Sequence, residues 1–389
     1  MTWLSALAAM SLLVWLYLLC GRSWFWLARP RIEAAAPPAP RAWPGVVAIV
    51  PARNEAAYVG DALRSLLIQD YPGELAVVLI DDHSADATGA IGRRLAAGQS
   101  RRLEVVGARP LPPGWSGKLW AVAAGLRHAA RSCPTVTYVL LTDADVAHHP
   151  GNLARLVAKA EAERLDLTSL MVRLRCETFW ERLLIPPFVF FFQKLYPFPA
   201  VNAPARPTAA AAGGCMLVRR RALEEAGGIE AIRAELIDDI ALARAIKRRP
   251  GGGRIWLGLS ETTTSLRRYD HLAEIWAMVA RSADTQLRHS LPRLAGTLVG
   301  MGVAYLMPPL GLCAGILQGS AALATLALAA WIAMALAYRP TANLYRLAAP
   351  WLPTLPLAAA LYAAMTLNSA IQYRRGAGGR WKGRVFSPQ

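Results

Sequence analysis

The stretch VVAIVPARNEA, residues 46–56, is apolar and β-branched until Arg53 and then turns polar. A short run without alternation suits a strand covered on both faces, and strands of that kind sit inside parallel sheets. An amphipathic helix pattern follows, with Val59, Leu63, Leu66 and Leu67 on one side. LAVVLIDDHSADAT (75–88) repeats the design, a second apolar run closing on Asp81 and Asp82, with Ser84 and Asp86 placed to cap the next helix. RLEVVGA (102–108) is a short third strand, AVAAGLRHAA (121–130) reads as helix, and VTYVLLTDADV (136–146) is a fourth strand. Strands alternating with helices predict an α/β fold with a mostly parallel sheet, helices on both faces and right-handed crossovers. Ligands of open sheets bind beyond the carboxyl ends of the strands. Asn54, Glu55, Asp82, Asp143 and Asp145 all fall at such ends.

The fourth strand poses a problem of charge. Asp143 and Asp145 stand one residue apart after an apolar run, and two carboxylates that close repel each other. In an extended chain alternate side chains share a face. Both acids would then face one hard cation, Mg²⁺ or Mn²⁺, which binds through one or two carboxylates plus substrate phosphates. The D-x-D pair alone is a weak signal, since solvated turns carry many such pairs. Two other acidic strand ends beside it give it weight.

Further candidates have bland alternatives. PPGWSGKLWA (112–121) departs from the Walker pattern, with Pro112 in place of the first glycine and Leu119 after the lysine. Lys118 at a helix start could still neutralise a diphosphate, or be a surface lysine. Gly213 and Gly214 precede an apolar strand and either allow backbone close to a ligand or form a tight turn. Asp238 and Asp239 open a helix, where acids are often only dipole partners. His148 and His149 could complete a metal shell, but HHPGN is turn-like.

The flanks have a different composition. The chain is 54% apolar and 18% charged, which leans toward a membrane protein. Residues 1–27 form an apolar anchor interrupted by Arg22, long enough to span and lacking a cleavage signal. Arg22, Arg29 and Arg31 put its following side in the cytoplasm. Residues 28–44 read as a Pro/Ala linker without core-forming content, and 45–290 as the cytoplasmic catalytic domain. Within it 179–198, aromatic and broken by prolines, reads either as an interfacial segment or as a buried helix pair of that domain. Hydrophobic segments return over 291–373, before a basic tail at 374–389. Three full crossings there would leave that tail outside, so one Pro-broken segment is expected to be re-entrant or interfacial. The net charge of +17 is scattered and no zinc-finger or RNP pattern occurs, so membrane surface and phosphorylated small molecules fit better than nucleic acid. Five cysteines without a CxxC pair indicate neither a disulfide framework nor structural zinc.

The ordered series PARNE, DDHSADAT, GWSGK, TDADV, GGCMLV and IDDIALA, from Val46 to about residue 250, resembles the family 2 glycosyltransferases with the GT-A fold. The hydrophobic flanks and GRWKGR resemble the membrane-bound subgroup acting on lipids, most closely the hopene-associated glycosyltransferases. The resemblance implies a bacterial inner-membrane, multi-pass enzyme that moves sugar from a nucleotide-sugar donor, UDP-linked, to a lipid acceptor. Asn54, Glu55, Asp82, Lys118 and Asp143 would bind donor, and Asp143 and Asp145 the metal. Gly213, Gly214 and Asp238 would border the acceptor, and Asp239 would be the general base of an inverting transfer. Asp238 departs from the family's usual glutamate. Q-x-x-R-W is absent, with only QLRHS at 286–290 as a loose echo through Gln286 and Arg288, which disfavours a processive polysaccharide synthase. A non-catalytic nucleotide-binding or transport protein is the alternative from another class.

Overall fold

The structure is a computed structural model and describes residues 3–34, 37–98 and 101–376, with the backbone of 380–381 and 384–385. Most of the expected basic tail lies outside the described residues. The chain folds as two compact units, one of residues 30–175, 200–268 and 380–389, the other of 1–29, 176–199 and 269–379.

The first unit is built on an eight-stranded sheet. Its strands are β1 (Val46–Ala52), β2 (Leu75–Asp81), β3 (Arg102–Gly107), β4 (Tyr138–Thr142), β5 (Val146–Ala147), β6 (Leu167–Arg173), β7 (Cys215–Arg219) and β8 (Ile255–Ser265). They lie in the order β3-β2-β1-β4-β7-β6-β8-β5. β1 pairs in parallel with β2 and β4, β2 with β3, and β6 with β8, whereas β7 runs antiparallel to both its neighbours. All of β1 is buried, which explains its lack of alternation. One core layer joins Val46, Ala48 and Val50 to Leu63 and Leu66 of helix Val59–Leu67 and to Leu153, Leu156 and Val157 of helix Asn152–Ala162. On the other face helix Gly117–Ser132 packs so closely that a Cβ on Gly125 would stand 2.5 Å from Ile49.

Two local expectations are corrected. β4 stops at Thr142, and Asp143–Asp145 form a turn closed by Val146 N–H donating to Asp143 O (3.3 Å), so strand alternation does not orient the two acids. Helix Thr88–Ala96 has Ala87, not Ser84 or Asp86, at its cap position. The Asp86 carboxylate instead takes the N–H of Thr88 (2.9 Å) and of Ala56 (3.0 Å), tying the two loops together.

The presumed linker is also partly built in. Ile32 is buried in the sheet's core, Leu259 N–H donates to Pro30 O (2.9 Å), and the Glu33 carboxylate accepts from Ser260 Oγ (2.7 Å) and Glu261 N (2.9 Å). A buried apolar residue, the Glu33 carboxylate, an Arg31–Glu261 ion pair and backbone bonds to β8 together hold residues 30–34.

The second unit is helical. Among the described residues four helices are long and apolar enough to cross a membrane: Trp3–Cys20, Leu291–Leu317, Ala321–Leu344 and Ala349–Arg374. Large apolar side chains such as Leu13, Leu310, Leu317 and Ile332 stay exposed on them, as a lipid-facing surface requires. Residues 179–195 form a helix with Pro186 and Pro187 inside it, started by a Thr178–Glu181 capping box. Trp15, Phe25, Phe190, Tyr305 and Tyr338 make the aromatic core of this unit. Beside it Arg22 donates to Lys194 O (3.2 Å), and Lys194 Nζ donates to Tyr305 Oη (2.8 Å) over the rings of Phe191 and Tyr305.

Candidate functional site

Three strand ends of the sheet converge on one acidic edge. Asn54, just past β1, has a left-handed backbone (φ 52°), accepts from Ala85 N–H through Oδ1 (2.8 Å) and lets its own N–H reach Ser84 Oγ (3.1 Å). Glu55 N–H donates to Thr88 Oγ1 (2.8 Å). Asp82, past β2, is fully buried, and its backbone O accepts from Arg53 Nη1 (2.7 Å). These bonds lock the loops after β1 and β2 to each other and fix their carboxylates.

The D-x-D turn after β4 looks two ways. On one side Asp143 Oδ1 lies 3.0 Å from Lys118 Nζ, which lies 3.2 Å from Asp238 Oδ2. Lys118 stands in the first turn of helix Gly117–Ser132, capped by Ser116. Burial works against its ammonium, but Asp143, Asp238 and Asp239 outweigh it and hold the pKa above its ordinary value. Burial pushes the Asp143 carboxyl up; Lys118 pulls it back, and Asp145 and Asp238 push it further. Asp239, in the first turn of helix Asp238–Arg248, accepts the N–H of Gly213 (3.0 Å) and of Ile240 (2.8 Å). Burial, reinforced by Asp238, holds its carboxyl at about 7 against the pull of Lys118 and those two N–H groups. A Cβ on Gly213 would stand 3.3 Å from Lys118 Nζ and 3.5 Å from Asp239 Oδ2, so a side chain there would crowd both. Pro51, Lys118, Thr142, Asp143, Gly213 and Asp238 border a common cavity.

On the other side Asp145 turns to Arg267, just past β8. Arg267 Nε donates to Asp145 Oδ2 (2.6 Å) and Nη2 to both oxygens of Glu55 (2.7 and 2.8 Å). The guanidinium lies 5.3 Å from the centre of the Tyr58 ring.

Of the residues singled out from sequence, Lys118, Asp143, Gly213, Asp238 and Asp239 stand together, as do Glu55 and Asp145. Gly214 serves packing: its carbonyl accepts from Thr142 Oγ1 (2.8 Å), and a Cβ would press on Val172. His148 is buried between Thr142 Oγ1 (2.8 Å) and Asn152 Nδ2 (3.0 Å), and burial lowers its pKa to about 4. His149 Nδ1 accepts from Gly151 N–H, the turn that HHPGN suggested. Gln286 donates to Tyr196 Oη (2.6 Å) within the helical unit. Arg267 was missed, because Arg267-Arg268 reads in sequence only as one of several basic pairs.

A family model described as glycosyl transferase family 2 matches residues 47–227. Those residues take in β1 to β7 and most of the acidic edge, and there the chain is similar to the family 2 glycosyltransferases. An N-acetylglucosaminyltransferase of Mesorhizobium japonicum is 33% identical over 151 residues, which cover 38% of this chain and 34% of that protein. The match therefore spans about a third of that relative's length. The mannosyltransferase PcManGT from Pyrobaculum calidifontis, solved in complex with GDP-Man and Mn²⁺, is similar in fold, with a TM-score of 0.55 and 22% identity. That likeness covers 95% of this chain and 98% of the other, so it extends well beyond residues 47–227.

The residues of this domain fit a divalent cation. Among the described residues no three His, Cys, Asp or Glu side chains already gather as a metal site, because Asp143 and Asp145 turn to different basic groups. The donors are nevertheless all carboxylate oxygens, and Glu55, Asp82, Asp143, Asp145, Asp238 and Asp239 outnumber Arg53, Lys118 and Arg267. A site short of positive charge, with two carboxylates on one turn, suits Mg²⁺ or Mn²⁺ arriving with phosphates.

Proposed function

We propose that this protein is a membrane-bound, inverting glycosyltransferase that moves a sugar from a nucleotide-sugar donor, UDP-linked, to a lipid acceptor related to the hopanoids. The observation that carries the reading is the neighbourhood of Asp239: a half-buried carboxyl near Lys118 and the Gly213 backbone, at the carboxyl ends of the strands.

Each residue has a part in that chemistry. Asn54, Glu55 and Asp82 line the base and ribose side, where fixed loops present carboxylates to hydroxyl groups. Lys118 neutralises charge that grows on the departing diphosphate. The acceptor hydroxyl attacks the anomeric carbon from the side opposite the donor's C–O bond. Its proton passes to Asp239 as the new C–O bond forms. The old C–O bond breaks, and the electron pair leaves with the nucleoside diphosphate. One displacement without a covalent intermediate inverts the anomeric centre. Gly213 leaves room for the acceptor, and Asp238 holds Lys118 in place. Asp143 and Asp145 would hold Mg²⁺ or Mn²⁺, which supplies further charge neutralisation at the diphosphate.

The apolar helices would keep the enzyme in the bacterial inner membrane as a multi-pass protein, with the sheet unit on the cytoplasmic side, where nucleotide sugars are made. The test is a donor screen on detergent-purified full-length protein. Diphosphate release is followed from UDP- and GDP-sugars, with Mn²⁺ or EDTA, and with or without bacterial lipid extract. Release that requires metal and rises with lipid is expected. Metal-independent release would remove the cation from the mechanism, and no release from any donor would remove the enzyme reading.

A further inference from the structure

Arg267 is a basic group of this site to which the transfer chemistry gives no part. It follows β8 directly and bridges two acids that come from separate strand ends, Glu55 after β1 and Asp145 after β4. The bridge is built into the backbone as well. Leu266 N–H donates to Asp145 O (2.7 Å), and Arg268 N–H reaches Tyr58 Oη (3.4 Å), so the chain on both sides of Arg267 is tied to the loops it joins. The acids are poorly hydrated, with side-chain exposures of 10% for Glu55 and 13% for Asp145. In such surroundings a charge-assisted pair is strong, and here one guanidinium serves two carboxylates, Nε for Asp145 and Nη2 for Glu55.

One of those two carboxylates is an acid that would hold the cation. A divalent ion binds carboxylate oxygen at about 2 Å. It would then share Asp145 with a guanidinium already 2.6 Å from Oδ2. Two positive groups at one poorly hydrated carboxylate repel, so the ion and Arg267 compete. A nucleoside diphosphate changes the balance, since its oxygens give the guanidinium fork an equivalent bidentate partner.

We propose that Arg267 is a positioning residue that holds Glu55 and Asp145 in register and keeps the divalent cation off Asp145 until a nucleoside diphosphate group draws the guanidinium away. The metal is thus taken up with the nucleotide and not before it. This proposal rests on the nucleotide-sugar reading above.

Its test measures binding, not turnover. Full-length protein in detergent is titrated with Mn²⁺, and free Mn²⁺ is read by electron paramagnetic resonance, without nucleotide and with UDP or GDP. Without nucleotide, Arg267→Gln is expected to bind Mn²⁺ roughly tenfold or more tighter than the unaltered protein, the scale of one lost charged hydrogen bond. Arg267→Lys keeps the charge but not the fork and should fall between them. Nucleotide should tighten Mn²⁺ binding in the unaltered protein far more than in Arg267→Gln. A merely structural role for Arg267 moves affinity the other way, because loosened loops hold an ion less well. If neither substitution tightens Mn²⁺ binding while the unaltered protein binds it with nucleotide, the Arg267 proposal is overturned and the donor reading stands. If no form binds Mn²⁺ even with nucleotide, the metal reading fails and takes the Arg267 proposal with it.

Discussion

The acidic edge of the sheet and the basic corner of the helical unit both keep charge away from water, but with different partners. At the sheet edge Lys118 and Arg267 are set between carboxylates, and acids are in surplus. In the helical unit Lys194 rests on a phenol oxygen and two aromatic faces, and Arg22 on main-chain carbonyls at the end of a helix. Ion pairs of the first kind can exchange one partner for a ligand. Carbonyls and rings of the second kind belong to the packing and have nothing to exchange. Exchangeable charge marks the place where chemistry is expected, and fixed charge marks architecture.

The largest test of that contrast is Asp239→Asn. A positioned general base contributes about 10²–10⁴-fold, so turnover should fall by that order while donor binding persists. Turnover near that of the unaltered protein would take Asp239 out of the reaction. Next comes Lys118→Met, which leaves Asp143 and Asp238 facing each other without their shared cation. Removing one partner of a desolvated pair costs about 2–5 kcal/mol. Lys118 is partly exposed, so the lower end applies, and donor affinity measured by calorimetry should drop by roughly tenfold or more. An unchanged affinity would place Lys118 outside the diphosphate contacts.

The same neighbourhood has a signature in stability. The ordinary value for an aspartate is 3.8, and the fold holds Asp239 at about 7. Between those limits the folded chain keeps a proton that the unfolded chain has released, so stability falls as pH rises through the window. Asp239→Asn removes that loss. Its melting temperature should exceed that of the unaltered protein at pH 8, with the difference shrinking toward pH 4. A constant difference across the range would mean that Asp239 ionises like an exposed carboxylate. The smallest effect is expected from Lys194→Met. Here a side chain of similar reach replaces a cation held by rings, and the melting temperature should move by only a few degrees, on the order of 1 kcal/mol. A loss as large as that of Lys118→Met would erase the distinction between the two regions.

Much of the sheet edge was legible in the sequence because burial on both faces leaves unbroken apolar runs, and those runs stop close to the acidic edge. β1 and β2 lie within the runs that their sequences suggest, whereas β4 stops at Thr142, short of the paired acids. The paired aspartates have separate basic partners in the fold, Lys118 for one and Arg267 for the other, because a turn and not a strand carries them. Arg267 was illegible for a plain reason: its partners are far away in sequence, and no local pattern marks a side chain that acts at that distance. The antiparallel direction of β7 and the docking of Ile32 are likewise products of long-range pairing.

That pairing also sets an order of assembly. β1, β2, β3 and β4 are neighbours early in the chain and in the sheet, so they can associate while the rest is still being synthesised. β4 gains its second neighbour only after the proline-containing helix Phe179–Leu195 has emerged, and β6 waits longer still for β8. Asp143 and Asp145 thus spend the first part of the protein's life on an open sheet edge, without Gly213, Asp239 or Arg267. Closure of long-range contacts is the slow step in folding. The surroundings of the acidic turn are accordingly complete only when β8 and Arg267 have been laid down.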